Sequence, residues 1–118
     1  MSHYFTNDSS PMVTREITAT VFGREFVFTT ANGVFSGTRL DLGTSVLLRT
    51  VAPPEQGRIL DLGCGFGPIA VGIAAASPGV QVDAVDVNER ALALTRMNAE
   101  RARVADRVRT FSPDDAVY

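Results

Sequence analysis

A chain of 118 residues with 45% hydrophobic and 20% charged residues has the size and composition of one small domain with a packed core, which excludes collagenous, coiled-coil and wholly disordered chains. Its single cysteine, Cys64, excludes an internal disulfide, and its single histidine, His3, leaves too few soft ligands for a zinc site. No apolar run approaches the roughly 20 residues that cross a bilayer, and the start lacks the basic-then-apolar order of a signal peptide. A soluble, cytoplasmic protein with no membrane partner is expected.

The first dozen residues, with Asn7-Asp8-Ser9-Ser10-Pro11, are turn-rich and predict an extended lead-in. Residues 13–21 alternate, with Val13, Arg15, Ile17, Ala19 and Val21 on one parity, and residues 25–30 are aromatic and β-branched. Gly23 between the two runs predicts a β-hairpin. After breaks at Ala31-Asn32-Gly33 and Gly37, the positions Leu47, Leu48 and Val51 predict a short helix over residues 41–51, stopped by Pro53-Pro54.

Beyond these prolines the pattern changes. Residues 58–62 predict a short buried strand, 63–67 a glycine loop, and 68–77 a helix that opens on proline and closes before Pro78-Gly79. Residues 80–87 predict a second buried strand, and Asn88 caps a helix with the stripe Ala91, Leu94, Asn98, Ala102. A third strand begins over 107–111. This alternation predicts an α/β fold: a Rossmann-like, doubly wound parallel sheet, incomplete, preceded by an antiparallel β-hairpin.

The chemistry concentrates in Asp61-Leu62-Gly63-Cys64-Gly65-Phe66-Gly67-Pro68, where a strand hands over to a helix. Alternate glycines let the backbone turn tightly and let a ligand approach without a Cβ in the way, while the helix start attracts negative charge. Asp86, at the end of the next strand and about twenty residues on, stands where an acid accepts hydrogen bonds from a ribose diol. The pair points to an adenosine-type cofactor. A dinucleotide fingerprint needs glycine where this chain has Pro68, and Asp61 is poorly placed for a pyrophosphate but well placed for an α-amino group. S-adenosylmethionine, with an ammonium and a sulfonium, suits the loop better than a nicotinamide or flavin dinucleotide; a tight loop with no ligand is the remaining alternative.

The net charge of −2 argues against a polycation that binds nucleic acid everywhere. All eleven basic residues are arginine, and Arg90, Arg96, Arg101, Arg103, Arg107 and Arg109 crowd one stretch. They suit a solvated helix face or a local RNA-contacting patch.

The glycine loop, followed by Val-Asp-Ala-Val-Asp-Val-Asn at residues 82–88, resembles the first two motifs of class I methyltransferases. Upstream, His3-Tyr4-Phe5-Thr6, Phe28-Thr29-Thr30, Gly33-Val34-Phe35-Ser36 and Leu40-Asp41-Leu42-Gly43-Thr44 with Leu47-Leu48 narrow this further. Together they closely resemble the "methyltransferase small" domain of bacterial 16S ribosomal RNA guanine-N2 methyltransferases, over nearly the whole chain. The resemblance implies S-adenosylmethionine as cofactor, methyl transfer to the exocyclic N2 of a guanine, and ribosomal RNA or the small ribosomal subunit as partner. It implies that Gly63, Gly65 and Gly67 line the methionine and ribose part, that Asp61 meets the methionine end, that Asp86 holds the ribose hydroxyls and that Asn88 flanks the adenine. The family's acid near the adenine amine maps to Asp114, with Asp115 the weaker candidate. Phe35, Ser36, Asp41, Gly43 and Thr44 match the segment that folds over the cofactor, although Ser36 and Asp41 equally suit loop and cap chemistry.

In that family an Asn-Pro-Pro-aromatic motif after the fourth strand holds the acceptor amine in line with the methyl group. No such motif occurs here; Pro53-Pro54 follows Ala52 and precedes the glycine loop. The chain is therefore expected to divide into a hairpin and helix, residues 1–57, and the first half of the S-adenosylmethionine-binding domain, residues 58–118. On this expectation it carries no assigned catalytic residue, is weakly active or inactive alone, and has a strand edge completed by further chain or by a second copy as a homodimer. Cys64 is expected to be a small spacer and Phe66 a packing residue. Two rivals stay open: a non-catalytic RNA-binding or scaffolding module, and a nucleotide-dependent oxidoreductase.

Overall fold

The structure is a computed structural model that describes residues 10–34 and 55–115. Strands β1 (Thr14–Val21) and β2 (Arg24–Ala31) pair antiparallel, from Thr14 opposite Ala31 to Val21 opposite Arg24. The two residues between them, Phe22 and Gly23, both have positive φ (50° and 76°), the requirement of a tight turn whose twist matches the strands. Phe26 and Phe28 stack with ring centroids 5.3 Å apart, and Phe66 meets Phe28 edge to face at 5.7 Å.

The second unit runs β3 (Gln56–Leu62), α1 (Pro68–Ala76), β4 (Gly79–Val85), α2 (Glu89–Arg101), a 3-10 turn (Ala105–Arg107) and β5 (Val108–Phe111). The three strands are parallel in the order β3-β4-β5, with Ile59 beside Val82 and Val82 beside Val108. Helix α1 is almost wholly apolar, and Ala70, Val71, Ile73 and Ala74 are buried in it. Such a helix is covered on more than one side. One side packs on Val80, Val82 and Ala84 of β4 and another on the hairpin, so a single core joins both units. The predicted hairpin, strands and two helices are all present, as is the Rossmann-like arrangement; β4 is buried as expected, but β3 is not, since of its residues only Asp61 is buried and Leu60 and Leu62 face outward.

Several strand bounds differ from the sequence-based expectation by a residue or two, and at two of them a side chain shows why. Strand β4 ends at Val85, not 87, because the Asp86 carboxylate accepts from the Asn88 N–H (2.9 Å) and turns the chain into α2. Arg107 belongs to the 3-10 turn, not to β5; its guanidinium donates to the carbonyls of Ser77 and Val80, both at 3.1 Å. The predicted helix over 41–51, Pro53-Pro54, the motif residues Phe35, Ser36, Asp41, Gly43 and Thr44, and His3 lie outside the described residues.

The sheet face that carries Arg58, Leu60 and Leu62 is open: Leu60 is 42% and Leu62 71% exposed. On this face Asp83 is buried between Arg58 (2.9 Å) on β3 and Arg109 (3.3 Å) on β5, one ion triad across three strands.

Candidate functional site

The carboxyl ends of parallel strands are where open α/β sheets bind ligands. Here they are laced together. The N–H groups of Gly63 and Cys64, after β3, both donate to the Val85 carbonyl at the end of β4 (2.7 and 3.0 Å). The Asp86 N–H donates to the Phe111 carbonyl at the end of β5 (3.2 Å). The glycine loop, Asp86 and the residues after β5 therefore form one rim.

Within the loop, Gly63, Gly65 and Gly67 have φ of 71°, 58° and 98°, the region glycine adopts without penalty. The Gly67 N–H closes a turn on the Cys64 carbonyl at 3.0 Å, and Gly67 is the N-cap of α1. A Cβ on Gly63 or Gly65 would meet nothing within 4 Å, whereas on Gly67 it would stand 3.0 Å from Thr95. Gly63 and Gly65 thus present bare backbone to open space, and Gly67 is closed by packing on α2.

Asp61, the last residue but one of β3, is buried beside this loop, and its Oδ2 has no hydrogen-bond partner among the described residues. Burial pushes the carboxyl up from 3.8 to about 6; the nearby Asp86 charge adds to the push and a hydrogen bond from the Ala70 N–H opposes it. An orphaned buried acceptor next to bare backbone is what a cationic N–H donor would satisfy. The residues present fit the amino-acid end of S-adenosylmethionine.

Asp86 is half-buried and holds the loop itself: Oδ2 accepts from the Gly65 N–H at 3.0 Å and Oδ1 from the Asn88 N–H at 2.9 Å. Asn88 bonds through both ends of its amide. Its Oδ1 accepts from the N–H groups of Arg90 (2.9 Å) and Ala91 (3.4 Å), and its Nδ2 donates to the Gly33 carbonyl at 2.7 Å. The chain leaving β2 is thereby tied to the rim beside Asp86. Asp114 is exposed in the turn after β5, where Asp115 binds Ser112 through its N–H (3.0 Å) and its carboxylate (2.8 Å).

Cys64 is buried and burial pushes its thiol up to about 12, so it stays a neutral thiol at physiological pH. Phe66 lies in the core against Phe28. Five of the six clustered arginines bond to groups of this chain, although Arg96, Arg101 and Arg109 stay exposed. Arg90 donates to the carbonyls of Asn32 and Ser10, Arg96 to the Thr110 hydroxyl, and Arg101 to the Val27 carbonyl and Glu16. Arg107 and Arg109 serve the backbone and Asp83 as described.

Two residues at the site escaped the sequence reasoning. Thr95 and Asn98 reach the loop from α2, and the one available signal was an amide, Asn98, on an otherwise apolar stripe.

The sequence matches the methyltransferase small domain family over residues 25–117, most of the chain. The chain belongs to that family. It is 38% identical over 92 residues to the uncharacterized protein YbxB of Bacillus subtilis (strain 168), covering 77% of this chain and 45% of that one. It is 51% identical over 61 residues to the ribosomal RNA small subunit methyltransferase C of Shewanella baltica (strain OS155), covering 52% of this chain and 17% of that one. The chain thus spans under half the length of the curated relatives it matches. The T. thermophilus 16S rRNA N2 G1207 methyltransferase (RsmC), solved with AdoMet and guanosine, superposes with a TM-score of 0.72 at 24% identity, covering 86% of this chain and 28% of that one. That likeness is one of fold.

Proposed function

We propose that this chain is the cofactor-binding part of an S-adenosylmethionine-dependent methyltransferase that methylates the exocyclic N2 of a guanine in ribosomal RNA. The observation that carries this is the buried Oδ2 of Asp61, without a hydrogen-bond partner among the described residues, beside the bare backbone of Gly63 and Gly65. When bound, S-adenosylmethionine supplies an electrophilic methyl on a sulfonium. The chain does the holding. Ionised Asp61 takes the ammonium, Gly63 and Gly65 let the methionine and ribose part approach, and Gly67 anchors the loop to α1. Asp86 keeps its two backbone N–H donors and offers its remaining lone pairs to the ribose hydroxyls, while Asn88 and Asp114 border the adenine. Residues 1–57 then form the hairpin and helix of the domain and residues 58–118 the first half of its cofactor-binding unit, in a cytoplasmic enzyme that acts on ribosomal RNA or the small subunit.

A dinucleotide fits less well, because a carboxylate at 61 repels phosphate and Pro68 replaces the third spaced glycine. An RNA-binding scaffold draws little support from arginines already bound within the fold. Calorimetry with S-adenosylmethionine, S-adenosylhomocysteine and NAD tests the assignment. Binding of the first two, lost in Asp86→Ala, is expected, with no heat from NAD; binding of NAD alone would overturn it. With the full-length protein, methyl transfer to 16S RNA or to small subunits, read as N2-methylguanosine after digestion, tests the acceptor, and methylation at any other atom sinks that part.

A further inference from the structure

We infer that Thr95 of α2, with Asn98 one turn on, is a positioning residue that sets the shape of the glycine loop and, resting on the S-adenosylmethionine assignment above, its affinity for that nucleoside. Thr95 is fully buried and its hydroxyl donates to the Gly65 carbonyl at 2.9 Å. The same hydroxyl lies 3.5 Å from Cys64 Sγ, and the Thr95 side chain stands 3.0 Å from where a Cβ on Gly67 would be. Asn98, 2% exposed, donates to the next carbonyl, that of Phe66, at 2.7 Å. The same amide accepts from the Thr29 N–H (2.7 Å) and donates to the Thr29 carbonyl (2.9 Å), so β2 and the loop share one anchor.

Two consecutive loop carbonyls are therefore drawn toward α2. Every peptide bond described is trans, so each carbonyl points opposite to the following N–H. Holding the Gly65 carbonyl on Thr95 aims the Phe66 N–H away from the helix. Holding the Phe66 carbonyl on Asn98 turns the Gly67 N–H back onto Cys64. The turn this makes has positive φ at its first central residue, Gly65, and keeps the Cβ-free sides of Gly63 and Gly65 clear. Without the Thr95 hydroxyl, the one other described donor to the Gly65 carbonyl is the weak Cys64 Sγ–H at 3.7 Å, and the peptide unit just before it carries the Gly65 N–H, one of the two that Asp86 holds. The hydroxyl thus acts on the site through the loop backbone and touches no ligand.

Thr95→Val keeps the volume and removes the hydroxyl; Thr95→Ser keeps the hydroxyl and removes a buried methyl. A merely structural role makes affinity follow stability, so Ser is as poor as Val. A positioning role makes S-adenosylhomocysteine bind roughly tenfold or more weakly to Val while Ser stays within about threefold of the parent, at matched folded fraction. Equal affinities for Val and the parent, or equal losses in Val and Ser, overturn the inference. Amide hydrogen exchange of the unliganded chain at Gly65 and Gly67 provides a ligand-free readout: about tenfold acceleration in Val but not in Ser is expected, and unchanged rates in Val also overturn it. If the parent binds neither nucleoside, the cofactor assignment fails while the exchange experiment still decides the role of Thr95.

Discussion

Gly72, in the middle of α1, lies so close to Val21 of β1 that a Cβ on it would stand 2.2 Å from Val21 Cγ1. A glycine inside a helix costs roughly 1 kcal/mol relative to alanine, yet here only a bare Cα lets the hairpin seat on the helix. The helical propensity gained by Gly72→Ala is smaller than the overpacking, because Val21 is 1% exposed and has nowhere to move. Gly72→Ala is expected to lower stability by about 1–3 kcal/mol, measured by urea denaturation, and Gly72→Ala with Val21→Ala should recover part of the loss. A stabilised Gly72→Ala would show that the hairpin does not seat on α1 as described.

Asp61 predicts an exchange of stability for binding. Its folded carboxyl titrates at about 6 against 3.8 for an unperturbed one. Between those values the folded chain holds the proton more tightly than the unfolded chain, so this residue's contribution to stability falls as pH rises through that window and is level above it. Asp61→Asn is expected to match the parent below pH 3.8 and to be more stable at pH 7 by roughly 1–3 kcal/mol. The same substitution should abolish measurable S-adenosylhomocysteine binding, and affinity in the parent should climb as pH rises through about 6. Urea midpoints across the pH range and calorimetry check both halves.

Asp83 is the buried member of the triad with Arg58 and Arg109, whose side chains are 54% and 55% exposed. Water screens the arginines, so the loss on removing the carboxylate is smaller than for a fully buried pair. Asp83→Ala should cost about 1–2 kcal/mol, leaving two like charges on adjacent edges of β4 without their counterion. Added salt should narrow the gap between variant and parent in chemical denaturation, as screening relieves the remaining repulsion.

Arg103 closes α2 in a left-handed conformation, φ 63°, with its N–H on the Glu100 carbonyl (3.0 Å) and the Val104 N–H on that of Ala99 (2.9 Å). This pair of bonds is the helix stop that ordinarily takes glycine. Arg103→Gly is expected to raise stability by about 0.5–1 kcal/mol, read as a higher melting temperature with no change in cofactor binding.

Much of the fold was legible because it is local. The alternation ending in Val21, the Gly23 turn, Pro68 at the first position of α1 and Asn88 as cap each act within a few residues of themselves. The strand ends were less legible. Asp86 halts β4 through a hydrogen bond two residues on, and Arg107 leaves the last strand to reach the carbonyls of Ser77 and Val80, between the end of α1 and the start of β4. At the candidate site, glycines at 63 and 65 and acids at 61 and 86 could be named from type and spacing. That Gly67 is closed by Thr95, and that Asn98 binds both Thr29 and Phe66, could not, because these partners are some thirty and seventy residues apart in sequence.

The amino-acid order alone determined the succession of elements, the place of the glycine turn and the family to which these belong, since backbone preference and apolar period operate over short distances. Tertiary structure decided the charges. It tied most of the arginine cluster to carbonyl and carboxylate groups, left one oxygen of Asp61 buried and without a hydrogen-bond partner among the described residues, and set Asp83 between two guanidinium groups. Coulomb forces and desolvation depend on separation in space, and only the packed chain specifies which groups become neighbours.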